Sequence, residues 1–173
     1  MKISIITAFL ALGLSALAAP APQNTTNPEE PAIPDLEAQA ANSPKIPGYD
    51  QRQSNNAWAI IKQIKAEDFG GNALTACKAA FATAITESNI YIYANKNVPK
   101  SKDYPHDKTG SDHDSVGVFL QRVQFYPLPD SMNPAKSAHS FFKKLRKVAG
   151  WQKVADKQIG VLCQKVQVSG RAM

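Results

Sequence analysis

From Ala19 to Pro47 the chain has no aromatic residue and only three large aliphatic ones, Ile33, Leu36 and Ile46, among prolines, alanines, asparagines and glutamates. Such a stretch cannot bury enough apolar surface to offset the entropy of ordering it. This compositional break confines a packed core to the residues from about Tyr49 onward, a length that suffices for one modest domain. Residues 19–48 read as a disordered tail or pro-segment, and residues 49–173 as the folded unit.

Ahead of the tail, Lys2, the apolar run Ile3–Leu17 and the small-residue site Ala16-Leu17-Ala18 form the three parts of a secretory signal. The run is short for a bilayer span and Pro20 and Pro22 follow at once, so residues 1–18 are expected to be cleaved. The mature protein is then secreted, with no membrane association. Asn24-Thr25-Thr26 is an N-glycosylation sequon, which makes Asn24 the expected acceptor. In an oxidising compartment, Cys77 and Cys163 are expected to form one disulfide. Closing so long a loop would contribute on the order of 4 kcal/mol in the chain-entropy model.

Charge divides along the same boundary. Residues 1–50 hold five acids and two lysines, whereas the remainder carries 18 Lys and Arg against 9 Asp and Glu, a net +9. Such a domain is drawn to polyanions, among them bacterial wall polymers, nucleic acid and acidic membranes.

Within the folded unit, Ser54 is placed to cap a helix with Trp58, Ile61 and Ile64 on its apolar face, ended by Gly70-Gly71. Asn72 then caps a second helix with Leu74, Cys77, Phe81, Ile85 and Ser88 on one stripe. Glu87 projects off that stripe above Thr83, Ala80 and Ala76, a strip of small residues that leaves room for a ligand or allows close helix packing. Residues 95–111 read as a long polar loop, and Val116–Val123 as a short β-favouring segment. Asn133-Pro134 starts a third helix, which packs Ala138, Phe141, Phe142, Leu145 and Val148 before Gly150. One or two short helices follow Trp151. His139, Trp58 and Trp151 read as packing residues.

Three blocks in this order resemble a microbial family of secreted lysozyme-like, lytic-transglycosylase-like proteins. They are Thr86-Glu87-Ser88 at a helix end, Asp112-x-Asp114-Ser115-x-Gly117-x-Phe119 with Gln121-Arg122, and Asn133-Pro134 with Phe141-Phe142 before Gly150-Trp151. The likeness spans about Asn56 to Trp151. It implies a mainly α, lysozyme-like (α+β) domain with a small β element. It also implies cleavage of β-1,4 bonds in a polysaccharide, peptidoglycan first and chitin or chitosan second, by a muramidase or lytic transglycosylase.

The resemblance makes Glu87 the general acid, a role in which burial at a helix end keeps a carboxyl protonated until it is needed. Asp112 and Asp114 would position water or stabilise charge on the sugar ring. Ser88 would hold the acid or a nearby backbone group, and Ser115 and Gln121 would offer hydrogen bonds to the glycan or to the acid. Gly117 would let backbone approach the sugar. Leu120 stands where the family carries a further Gln, which favours the alternative of a non-catalytic glycan-binding or host-interaction protein. The reaction needs no cofactor, and a monomer is expected.

Two rivals rest on the loop. His106, Asp107, Asp112, His113 and Asp114 crowd together, but their spacing matches no standard metal site, and no metal is expected. Tyr104-Pro105-His106 resembles a fragment of small guanyl-specific ribonucleases, yet the comparable Glu lies upstream on a helix, so no nucleic acid partner is expected.

Overall fold

The structure, a computed structural model, describes residues 43–168, with side chains to 167. The signal segment 1–18, the sequon at Asn24 and most of the tail lie outside the described residues. Where the description begins, the chain is already tied to the domain, several residues before Tyr49. Ile46 packs against the core, its amide donates to Ser54 Oγ at 3.0 Å, and Trp58 Nε1 donates to the Pro44 carbonyl at 2.8 Å.

The fold is mainly helical. Helix α1 runs Gln51–Ala66 and is capped by Asp50, not Ser54. Asp50 Oδ1 accepts from the Gln53 amide and Gln53 Oε1 accepts from the Asp50 amide, both at 2.9 Å, a reciprocal cap that satisfies two end donors. Ser54 sits inside the helix, buried, and donates back to the Asp50 carbonyl. The helix buries Ala57, Ile60 and Ile64 and leaves Trp58 and Ile61 partly open. The helix ends at Ala66, before the glycines, and Gly70–Asn72 form a 3-10 turn into the next element.

Helix α2 spans Ala73–Ser88 and buries its small face, not its large one. Ala76, Ala79, Ala80 and Ala84 are fully covered, whereas Leu74 is 65 % and Ile85 42 % exposed. Methyl-sized side chains let a neighbouring helix approach closely, so the alanines of the strip beneath Glu87 form a packing surface, while Thr83 borders open space. The partner is α5, Ile159–Val168, whose Cys163 donates its thiol to the Ala79 carbonyl at 3.3 Å. Cys77 and Cys163 are free thiols on these two helices, so the expected disulfide is not formed.

After α2, Asn89 and Ile90 both take left-handed backbone, at φ 53° and 62°. A β-branched residue rarely does so. Here α1 holds the turn: Gln53 Nε2 donates to the Asn89 carbonyl and Asn56 Nδ2 to the Ile90 carbonyl, each at 2.8 Å. The chain then builds a small β lobe. Strand β1, Tyr93–Asn95, pairs in parallel with β2, Lys108–Gly110. The presumed loop between them contains a 3-10 turn at Pro99–Asp103. The expected segment 116–123 is a hairpin rather than one strand, β3 at Ser115–Val116 antiparallel to β4 at Gln121–Arg122.

A short α3, Leu128–Ser131, leads to α4, Pro134–Leu145, where Asn133 Oδ1 caps the Ala135 and Lys136 amides as expected. The buried residues of α4 include Ala138, Phe141, Phe142 and Leu145, with Phe141 stacked on Phe119 and Phe142 edge-on to Phe69. Trp151 is buried against Phe69. His139 is not a packing residue. It is exposed and pairs with Glu67, which also binds Arg146 at 2.7 Å. The helices share one core, and a second small cluster of Ile92, Ala94, Val116 and Met132 fills the β lobe.

Candidate active site

Glu87 stands in the last turn of α2, on the ridge between two hollows. One, of about 420 Å³, lies between α2 and α5 and includes Thr83, Thr86, Cys163 and Gln164. The other, of about 140 Å³, faces the β3–β4 hairpin and includes Asp112, Ser115, Leu120 and Gln121. Gln167 of α5 lines both; its Nε2 donates to the Phe119 carbonyl at 3.4 Å, and its side chain is close enough to the Glu87 carboxyl to favour the charged form. The ends of α2 and α5 and the hairpin thus converge on one acid.

Although the residue as a whole is exposed, its carboxyl head lies between these walls. Loss of water there raises its pKa above the ordinary glutamate value. The Gln167 hydrogen bond opposes this rise by favouring the charged form, and the nearby negative charge of Asp112 adds to it. The net shift is upward, the direction a proton donor requires.

The other predicted site residues divide into two groups. Asp112 and Ser115 share the smaller hollow with Glu87, and the Asp112 side chain is largely exposed. Asp114 instead belongs to the framework. Its burial alone would raise its pKa, but the ion pair to Arg122 and the Gln124 amide at 3.0 Å outweigh that and lower it. It locks the base of the hairpin as a carboxylate.

Ser88 is 4 % exposed and donates to the carbonyls of Val118 at 2.7 Å and Ala84 at 3.1 Å. It ties the acid-bearing helix to the hairpin rather than meeting a ligand. Gln121 is equally committed. Its Nε2 donates to the Ser137 carbonyl at 3.1 Å, and its Oε1 accepts from Ser137 Oγ at 3.0 Å. Gly117, at φ +78°, approaches protein and not sugar, for a Cβ there would lie 1.8 Å from the Ser131 carbonyl oxygen.

The sequence reading passed over Phe125, Tyr126 and Gln167, all of which line the hairpin-side hollow. Phe125 is 43 % exposed, an aromatic face open at the cleft edge. Aromatic residues outside any helical stripe, directly after the hairpin, were the available signal for the first two. Gln167 carried none, because only the docking of α5 brings it to Glu87. Leu120, also in this wall, holds φ 45°, strained backbone for a bulky residue. No set of three or more potential ligands that could hold a metal occurs among the described residues. No family model and no curated protein matches the sequence.

Proposed function

We propose that the protein is a secreted glycosidase of lysozyme-like fold that cleaves β-1,4 bonds of peptidoglycan, with Glu87 as the general acid. The observation that carries this reading is a glutamate at a helix end, bordering two hollows, whose partly buried carboxyl is raised in pKa. A raised pKa moves the group toward the protonated form that donates to the glycosidic oxygen, whose departure is the costly step of the reaction. Gln167 would orient the carboxyl, and Phe125 and Tyr126 would offer faces to the apolar side of a sugar ring. Asp112, 3.8 Å from His113 Nε2, is the second carboxylate in the hairpin-side hollow, placed to stabilise the positive charge that develops on the ring or to orient a water. The net +9 of residues 51–173 would retain the protein on anionic walls, with chitin or chitosan as the second substrate class.

The decisive experiment is clearing of purified peptidoglycan by the wild-type protein and by Glu87→Gln, with mass spectrometry of the products. Clearing that disappears in the variant supports the acid role, and reducing-end or anhydro products then separate muramidase from lytic transglycosylase. Absence of clearing by the wild type refutes the enzyme reading. A second reading, glycan binding without turnover, is favoured by one observation. Gln121 and Asp114 are committed to Ser137 and Arg122, which leaves few polar groups to act on a substrate. Retention of the wall polymer without clearing is its signature.

A further inference from the structure

A second cavity of about 440 Å³ shares no residue with the two hollows at Glu87. It lies where α1, the segment after the Pro99–Asp103 turn, and the α3–α4 junction meet. Its floor is buried and apolar, including Ala59, Ile92, Met132 and Pro134, with Tyr104 partly covered at the side. Apolar atoms make up most of its surface, although half of the lining residues, Asn55, Asn56 and Asn133 among them, are polar or charged, so a largely apolar wall carries several groups able to orient a small molecule.

The charged groups of the lining are unequal. Arg52 is exposed and has no ion-pair partner among the described residues, and Lys136 reaches Asp130 only at 3.6 Å. His106 Nδ1 lies 2.8 Å from the Tyr104 carbonyl. A carbonyl only accepts, so Nδ1 carries the hydrogen and Nε2 is left unclaimed. The one carboxylate, Asp107, is held by its own fold: its Oδ2 accepts from the Ile92 amide and from Asn56 Nδ2, each at 2.8 Å. An apolar floor beneath a rim with two cations suits an anion with an apolar body. The fixed charge of Asp107 disfavours a second negative charge on that ligand.

We propose that this cavity is a binding site for a small organic monocarboxylate with an aryl or alkyl body. Its carboxylate meets Arg52 and Lys136, and its apolar part covers Ile92, Met132 and Tyr104. The site stands independently of the glycosidase reading.

The test is titration of the wild-type protein with 4-phenylbutyrate, followed by backbone amide NMR shifts. Two comparison ligands are the neutral 4-phenylbutan-1-ol and the dianion phenyl phosphate. The expected result is saturable shifts at Arg52, Ile92, Tyr104, His106 and Lys136. Affinity for the alcohol should be about tenfold weaker, since a charge-assisted pair is lost. Phenyl phosphate should also bind more weakly than the monocarboxylate, and Arg52→Ala with Lys136→Ala should erase the preference for carboxylate over alcohol. Equal binding of acid and alcohol to the wild type overturns the proposal without reliance on any variant. So does tighter binding of phenyl phosphate, shifts confined to residues outside this cavity, or no saturation by about 10 mM.

Discussion

Replacing Gly117 by Ala tests whether this glycine serves the fold or a ligand. The new Cβ would sit 1.8 Å from the Ser131 carbonyl oxygen, inside any tolerated contact, and its neighbour there is backbone that cannot swing aside. The hairpin and α3 must therefore part by more than about 1 Å, an overpacking strain of roughly 1–3 kcal/mol. An L-residue in the left-handed region adds about 1–2 kcal/mol. The total, about 2–5 kcal/mol, is a large share of the stability of a domain this size. It corresponds to a fall in melting temperature of roughly 8–20 °C. Urea and thermal unfolding of wild type and Gly117→Ala measure it directly. A variant within about 0.5 kcal/mol of wild type that nonetheless loses glycan binding or cleavage would refute the packing argument and return Gly117 to the ligand.

Other outcomes follow from the same geometry. Glu87→Gln should lower peptidoglycan cleavage by about 10²–10⁴-fold with unchanged melting temperature, and retention of activity would remove the acid role. Because the acid must be protonated, cleavage should fall as pH rises through the raised Glu87 pKa. Gln167→Ala removes a bond that favours the carboxylate and should move this alkaline limb upward, whereas Asp112→Asn should move it downward; a pH–rate profile reads both. Burial opposes the charge of Glu67, yet Arg146, His139 and Gln63 outweigh it and lower its pKa. That contribution to stability is present above the ordinary glutamate range and lost as pH falls through the folded value, so Glu67→Gln should flatten the acid limb of a stability–pH curve below about pH 4.5. Unfolded without reductant, the protein should titrate as two thiols, and a count of zero would restore the Cys77–Cys163 bridge.

Local signals in the sequence were read well and distant ones were not. Asn133-Pro134 and the Phe141, Phe142, Leu145 face emerge in the structure as anticipated, because cap and stripe are set within a few residues of each other. At α1 the helix starts a turn earlier than expected, capped by Asp50 with Gln53 rather than by Ser54, and packing against the other helices buries Ile60 instead of Ile61. At α2 the larger side chains lost to alanines, since burial there depends on how near α5 can come, a fact held in another part of the chain. The position of Glu87 at a helix end was legible, but its partner Gln167 was not. Gly117, Ser88 and Gln121 were recognised as special residues, but their atoms are taken up by Ser131, Val118 and Ser137. A short motif marks where chains meet without saying whether the meeting partner is a ligand or the protein itself.

The alanine face of α2 has a consequence for the chemistry proposed above. The spacing between α2 and α5 is set by methyl groups, and that spacing determines how far Gln167 stands from the carboxyl of Glu87 and how much water enters beside it. A single added methylene at Ala79, whose carbonyl meets Cys163 of α5, would work like turning a screw between two plates, retuning the acidity of a group about two helical turns away. Adaptation of such a protein to a different acidity therefore has a route that leaves every residue of the cleft untouched.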